Sequence, residues 1–387
     1  MTRVTALFLA SAVLLAACSS KGPVREPADL QKIESPAFKP KVLWDESPGN
    51  GSGGQQSGLR LAVEPDVLLT ADMSGDVYAL EPKTGRKLWH AKTGARVASG
   101  PSVSGDLVLL GTLDAEVIAL KRADGSQVWR AKVSSEVLAP PVGSGNILVA
   151  RCGDGKLFGL SASTGARVWS FDRAVPPLTL RGVSAPLIEG NTVFVGLDNG
   201  HAVALKLDSG DVLWEEVVSA PSGRSELERI VDVDADLVIA NDGVYAVSFG
   251  GELAAVSLAD GRVAWRRPIK SYSGIAVSGK ALIVSAEDGV VWAVDAQSGA
   301  TLWKQEALKY RSLSAPAVVN GNVVVADFEG YVHWLSTEDG GIVARIRPVK
   351  HRVSAAPILF EDQLYVLDTS GDIAAIDAST LKTSSAE

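Results

Sequence analysis

The chain is predicted to be an all-β, eight-bladed β-propeller, on three observations. First, the stretch Gly75-Asp-Val-Tyr-Ala-Leu-Glu-Pro-Lys-Thr-Gly-Arg-Lys-Leu-Trp89 is the first of eight units, with starts 40, 40, 45, 51, 38, 41 and 41 residues apart. A fixed period in this range marks a repeat architecture. Second, each period holds four short apolar runs divided by Gly, Asp, Asn and Ser turns, with no room for a helix. That is the content of one four-stranded antiparallel blade. Third, the last unit lacks the final Trp, while Lys41-Val42-Leu43-Trp44 stands alone before the first unit. A strand borrowed from the N-terminus would complete the last blade and hide the edges of an open ring.

Within the first unit, Val77 to Leu80 is a β run, Pro82-Lys83-Thr84-Gly85 a turn and Arg86 to Trp89 a second strand. The turn glycine supplies a positive φ that other residues resist. The strands before it show best in the next unit, where Ser102-Val103 and Leu107 to Leu110 flank the turn Ser104-Gly105-Asp106. The tryptophan returns at the same phase in six units, as Trp89, Trp129, Trp169, Trp214, Trp265 and Trp303. Its large apolar area is read as packing between neighbouring blades. Units seven and eight, 330–344 and 371–385, read as degraded copies, and the last has Leu381 in place of the turn glycine.

The ends speak of location. Residues 1–17 read as a secretion signal, with Arg3, an apolar core from Ala6 to Ala17, and a core too short to span a bilayer. Leu15-Ala16-Ala17-Cys18 is similar to the lipobox of bacterial lipoproteins, which implies lipidation of Cys18 and membrane anchoring through it. With no Asp just after the cysteine, that pattern points to the outer membrane. Residues 18–40, with Pro23, Pro27, Pro36 and Pro40, are expected to be a flexible tether, and 41–387 a single propeller. With Cys18 modified, Cys152 is the one remaining cysteine of two, so no internal disulfide is expected. The formal net charge of −8 argues against general nucleic-acid binding.

Catalytic and metal-binding patterns are weak. His90, His201, His333 and His351 form no closely spaced pair, and Cys152 follows the run Ile147 to Arg151 as a buried thiol would. Asp198-Asn199 and Glu287-Asp288 fall in the turn before the repeat glycine, where side-chain capping explains them. The pattern from Ala79 to Trp89, repeated from Ala293 to Trp303, resembles the repeat of pyrroloquinoline-quinone alcohol dehydrogenases. That resemblance implies a quinoprotein oxidoreductase as the alternative function. The adjacent cysteines and the distinctive Glu, Asn and Asp metal ligands of those enzymes have no counterpart in this sequence, so no cofactor and no catalytic residue are expected.

On a repeat scaffold, function is sought where the repeat is broken. From each Trp to the next unit the gap is usually 24 to 27 residues, but Trp169 to Gly200 is 31 and Trp214 to Gly251 is 37. Both insertions join an outer strand to the next inner strand. They therefore emerge on one face of the ring, with the turns at Met73-Ser74 and Asp198-Asn199. They bring Leu178, Leu180 and Arg181 beside Arg229, Asp232 and Asp234, a mixture suited to a protein interface. Leu178-Thr-Leu-Arg-Gly182 with Ser184-Ala-Pro186, the run Ser225-Glu-Leu-Glu-Arg-Ile-Val-Asp-Val-Asp234, and Gly330-Tyr-Val-His-Trp334 resemble the BamB family of outer-membrane assembly lipoproteins. The resemblance covers the whole chain. It implies a non-enzymatic scaffold of the Bam complex that docks on the periplasmic domains of BamA through Leu178, Leu180, Arg181, Asp232 and Asp234. Contact with nascent outer membrane proteins, by strand addition at a blade edge, is a further expectation.

Overall fold

The computed structural model describes residues 25–55, 57–180, 182 and 184–379. Alternating apolar runs and glycine turns give strands throughout, and the strands sort into eight sheets. Blade one comprises Ala62–Glu64, Val67–Ala71, Asp76–Leu80 and Lys87–Lys92. Each following blade repeats this antiparallel meander. In blade eight, Ile358–Phe360, Gln363–Leu367 and Ile373–Asp377 are completed by Val42–Glu46, which pairs with Ile373–Asp377 and sets Trp44 opposite Ala375. The N-terminal strand therefore closes the ring, as the spare Trp44 predicts. Blade two departs from four strands. Gly58–Leu59 adds in parallel to its first strand, Val97–Ser104.

Among the described residues no single core runs through the molecule. Eight apolar clusters are each shared by two adjacent blades, including one between blades eight and one. The repeated Trp and Gly explain each other across these seams. The indole N–H of Trp169 donates to Leu207 O of the next blade at 2.8 Å, and Trp89, Trp129 and Trp303 make the equivalent bond to Arg122, Ala162 and Thr337. The next blade's turn glycine lies flat on that ring. A Cβ on Gly210 would stand 2.6 Å from Trp169, and one on Gly340 2.5 Å from Trp303. The glycine thus meets two demands, a positive φ and room for the indole.

Blade seven is not a degraded copy but a swapped one. Elsewhere a small residue on the third strand faces the outer-strand Trp, as in Ala79 with Trp89 and Ala293 with Trp303. In blade seven the pair is Trp334 with Ala344, so the ring comes from the third strand. With no Trp at 344, no glycine is demanded of the following turn, where the sequence has Leu381, outside the described residues. Phe38 packs edge-on against Trp334, with ring centroids 5.8 Å apart.

Phe38 belongs to the segment expected to be a tether, and its described part lies against the propeller. Ala28 N–H donates to Lys309 O, Arg311 Nη1 to Ala28 O and Arg345 Nη1 to Gln31 O. Those arginines belong to a buried network in which Asp327 accepts from Arg311 Nε and His333 Nε2, and His333 Nδ1 accepts from Arg345 Nε. Burial lowers the His333 pKa, which keeps the imidazole neutral. Among the described residues no helix is long and apolar enough to cross a membrane.

Candidate functional site

The two insertions meet on one face of the ring, and a third connection joins them. After blade three the chain leaves Arg167–Phe171 and returns at Leu187–Glu189. After blade four it leaves Val212–Val217 and returns at Val238–Ala240. The N-terminal connection from Val42–Glu46 to Ala62–Glu64 crosses the same face, with Ser52 N–H on Thr369 O and Arg60 N–H on Gly100 O.

The first insertion is tied at both ends. Arg173 pairs with Glu215 at 2.8 Å and stacks on Phe171, and Glu215 also holds His201. At its far end, Ala185 N–H donates to Asp236 Oδ1 at 2.7 Å, and Asp236 Oδ2 accepts from Arg60 at 2.8 Å. Between these ties, Leu180 N–H donates to Asp232 Oδ2 at 2.5 Å. Leu178 is 43% exposed, and Leu180 is half-buried. Gly182 passes so close to Asp234 that a Cβ there would collide with the carboxylate.

The second insertion first makes a tight turn. Glu228 Oε2 accepts from Arg224 N–H and Ser225 N–H, and Ser225 Oγ accepts from Glu228 N–H, a reciprocal cap at Ser-x-x-Glu spacing. This turn holds Leu227 out, 69% exposed. From Ile230 to Ala235 every side chain is then buried. Val233 N–H donates to Leu197 O, and Phe249 N–H to Asp232 O.

Beneath the first loop lies a compact charge cluster. Carboxylate oxygens of Asp198, Asp232 and Asp234 lie within 4.8 Å of one another, and all three residues are buried. Arg151 is 4% exposed; it forms an ion pair with Asp198 and donates to Ser184 O at 3.3 Å. Neither oxygen of Asp234, nor Oδ1 of Asp232, has a hydrogen-bond partner among the described residues. Burial raises the pKa of Asp232 to about 6 and that of Asp234 to about 7, against the attraction of Arg151.

The expected site residues therefore separate into two layers. Leu178 faces solvent. Asp232 and Asp234, read from sequence among the partner-facing residues, are 0% and 4% exposed and lie under the loop. Arg181 and Cys18 are outside the described residues. Asp198, expected as a turn cap, pairs with Arg151 instead, while Asn199 Oδ1 takes the capping bond from His201 N–H. Asp288 caps Val290 N–H as expected, and Cys152 is buried, its thiol pKa raised by burial. Arg60, Arg151 and Asp236 were not among the expected residues. One signal for Arg60 is the gap from Trp44 to Gly75, which is 31 residues, as long as the first insertion.

The family model described as outer membrane protein assembly factor BamB matches residues 73–305 and 287–384. The chain is 54% identical to outer membrane protein assembly factor BamB of Alkalilimnicola ehrlichii, over 82% of each chain. It is 35% identical to that of Escherichia coli strain K12, over 82% of this chain and 84% of the relative. The crystal structure of BamB from Moraxella catarrhalis superposes with a TM-score of 0.81 at 26% identity, covering 87% of this chain and 99% of that one. A quinohemoprotein alcohol dehydrogenase from Comamonas testosteroni superposes at 0.72 with 12% identity, over 88% and 76%. At that identity the likeness shows the fold alone. The chain belongs to the BamB family of outer membrane protein assembly factors.

Proposed function

We propose that this assembly factor is a non-catalytic docking scaffold, anchored to the periplasmic face of the outer membrane by a lipid on Cys18. In this reading it binds the periplasmic domains of BamA with the face built from the two insertions. Leu178 and Leu180 enter an apolar site on the partner, and Arg181 orients the contact. Asp232 acts from below by accepting from Leu180 N–H, with Asp234 beside it in the buried cluster under the loop. The observation that carries the reading is the loop itself. It keeps an exposed leucine at 178 while its backbone is bonded to Asp232 at Leu180 and to Asp236 at Ala185. Backbone already bonded at Leu180 and Ala185 has less conformational entropy to lose on binding, which favours affinity.

The expected test outcome is specific. Leu178→Ala with Leu180→Ala should reduce capture of BamA periplasmic domains by tenfold or more, since a truncated interface anchor typically costs about 2 kcal/mol. Lys83→Glu, in the Thr84-Gly85 hairpin on the opposite face, should leave capture unchanged. Matched melting curves show whether each variant is folded. A folded double variant that captures BamA as wild type does would refute the docking face.

A further inference from the structure

Arg151 breaks the repeat at a position where the fold disfavours charge. It ends the second strand of blade three, opposite Leu157. At the same register stand Ala71, Gly111, Gly196, Val247, Ser285, Ala326 and Leu367 in the other seven blades. All seven are small or aliphatic, because the side chain enters the packed seam between blades. A guanidinium in such a seam is costly unless charge and hydrogen bonds compensate it. The compensation here comes from outside the blade. Asp198 lies in the turn of blade four, and Ser184 O belongs to the returning end of the first insertion.

The arrangement gives this one side chain two separate grips. One arm holds the carboxylate cluster on which Leu180 N–H rests, and the other holds the loop backbone four residues further on. We propose that Arg151 is a positioning residue for partner docking, setting the shape of the 178–185 loop without touching the partner. This inference rests on the docking reading above. It follows that the blade-three strand end is as much part of the docking apparatus as the exposed leucines.

The test compares Arg151→Met and Arg151→Lys in the full chain. Met keeps the length and removes the charge. Lys keeps the charge but not the planar fork that reaches both Asp198 and Ser184. Affinity for BamA periplasmic domains is read together with amide hydrogen exchange resolved along the chain. Arg151→Met is expected to weaken binding on the order of tenfold and to speed exchange across 178–185, with blades six to eight exchanging as in wild type. Arg151→Lys should fall between the two. A folded Arg151→Met protein with wild-type affinity and wild-type loop exchange would overturn the inference. If Met prevents folding, Arg151→Lys decides: unchanged loop exchange overturns it, faster exchange with retained melting supports it. Should the Leu178/Leu180 variant bind as wild type, the docking reading fails, and loop exchange still reports on the grip of Arg151.

Discussion

Every seam but the one between blades seven and eight is set by a tryptophan on one side and a glycine on the other, so single atoms at the glycine matter. Gly210→Ala must force a Cβ against the Trp169 ring at a φ of +72°. It should lower stability in urea unfolding by about 3 kcal/mol. Gly190→Ala faces open space at φ +56° and should cost only about 1 kcal/mol, the backbone term alone. Equal losses would mean that the stacked indole contributes nothing. Asp234 offers a second contrast, in pH. Its folded pKa of about 7 lies above the ordinary aspartate value near 3.9, so the folded state binds a proton that the unfolded state has released between these limits. That contribution is complete at low pH and is lost as pH rises through about 7. Asp234→Asn, neutral throughout, should therefore be more stable than wild type by ~4 kcal/mol at pH 8 and converge on it near pH 4. His333, whose lowered pKa gives the opposite slope, is common to both proteins and cancels in the difference.

At the level of elements, the terminal strand and the connections carry the information that distinguishes this propeller from a plain repeat. Trp44 donates to Pro82 O at 3.1 Å and covers Gly85, so the seam between blades eight and one depends on Val42–Glu46. Deleting Lys41 to Trp44 should lower the melting temperature far more than Trp265→Ala, because it opens an edge as well as removing a ring. If the two melt alike, the strand does not close the ring. This closure was legible in sequence because Trp44 keeps the repeat phase where the last unit loses it. The insertions were legible as surplus length. Their two-layer arrangement was not. In Ile230-Val-Asp-Val-Asp-Ala235 the alternation of apolar and acidic residues reads as a surface pattern, yet the whole run is buried, Val233 and Ala235 in the apolar clusters between blades and the two aspartates under the loop. Nor does sequence reveal that Arg60 meets Asp236, since that pair joins segments brought together only by closure of the ring. Blade seven misled for a similar reason: its large ring moved to the facing strand, which a search at fixed phase records as a loss.

The described residues form a closed ring of eight blades with the long insertions on one face, and the proposed role divides between anchoring and docking. Cys18→Ser should release the protein from the outer membrane after signal processing, or leave it with an uncleaved signal. Retention of the processed variant through a salt wash would contradict a lipid anchor. The central claim is that the insertion face meets BamA. Site-specific photocrosslinking in living cells tests it most directly, with a photoreactive amino acid placed at 178 and, separately, at 83. The account requires an adduct with BamA from position 178 and none from position 83. Adducts from 83 alone, or none from 178 in a protein that folds and localises normally, would contradict it.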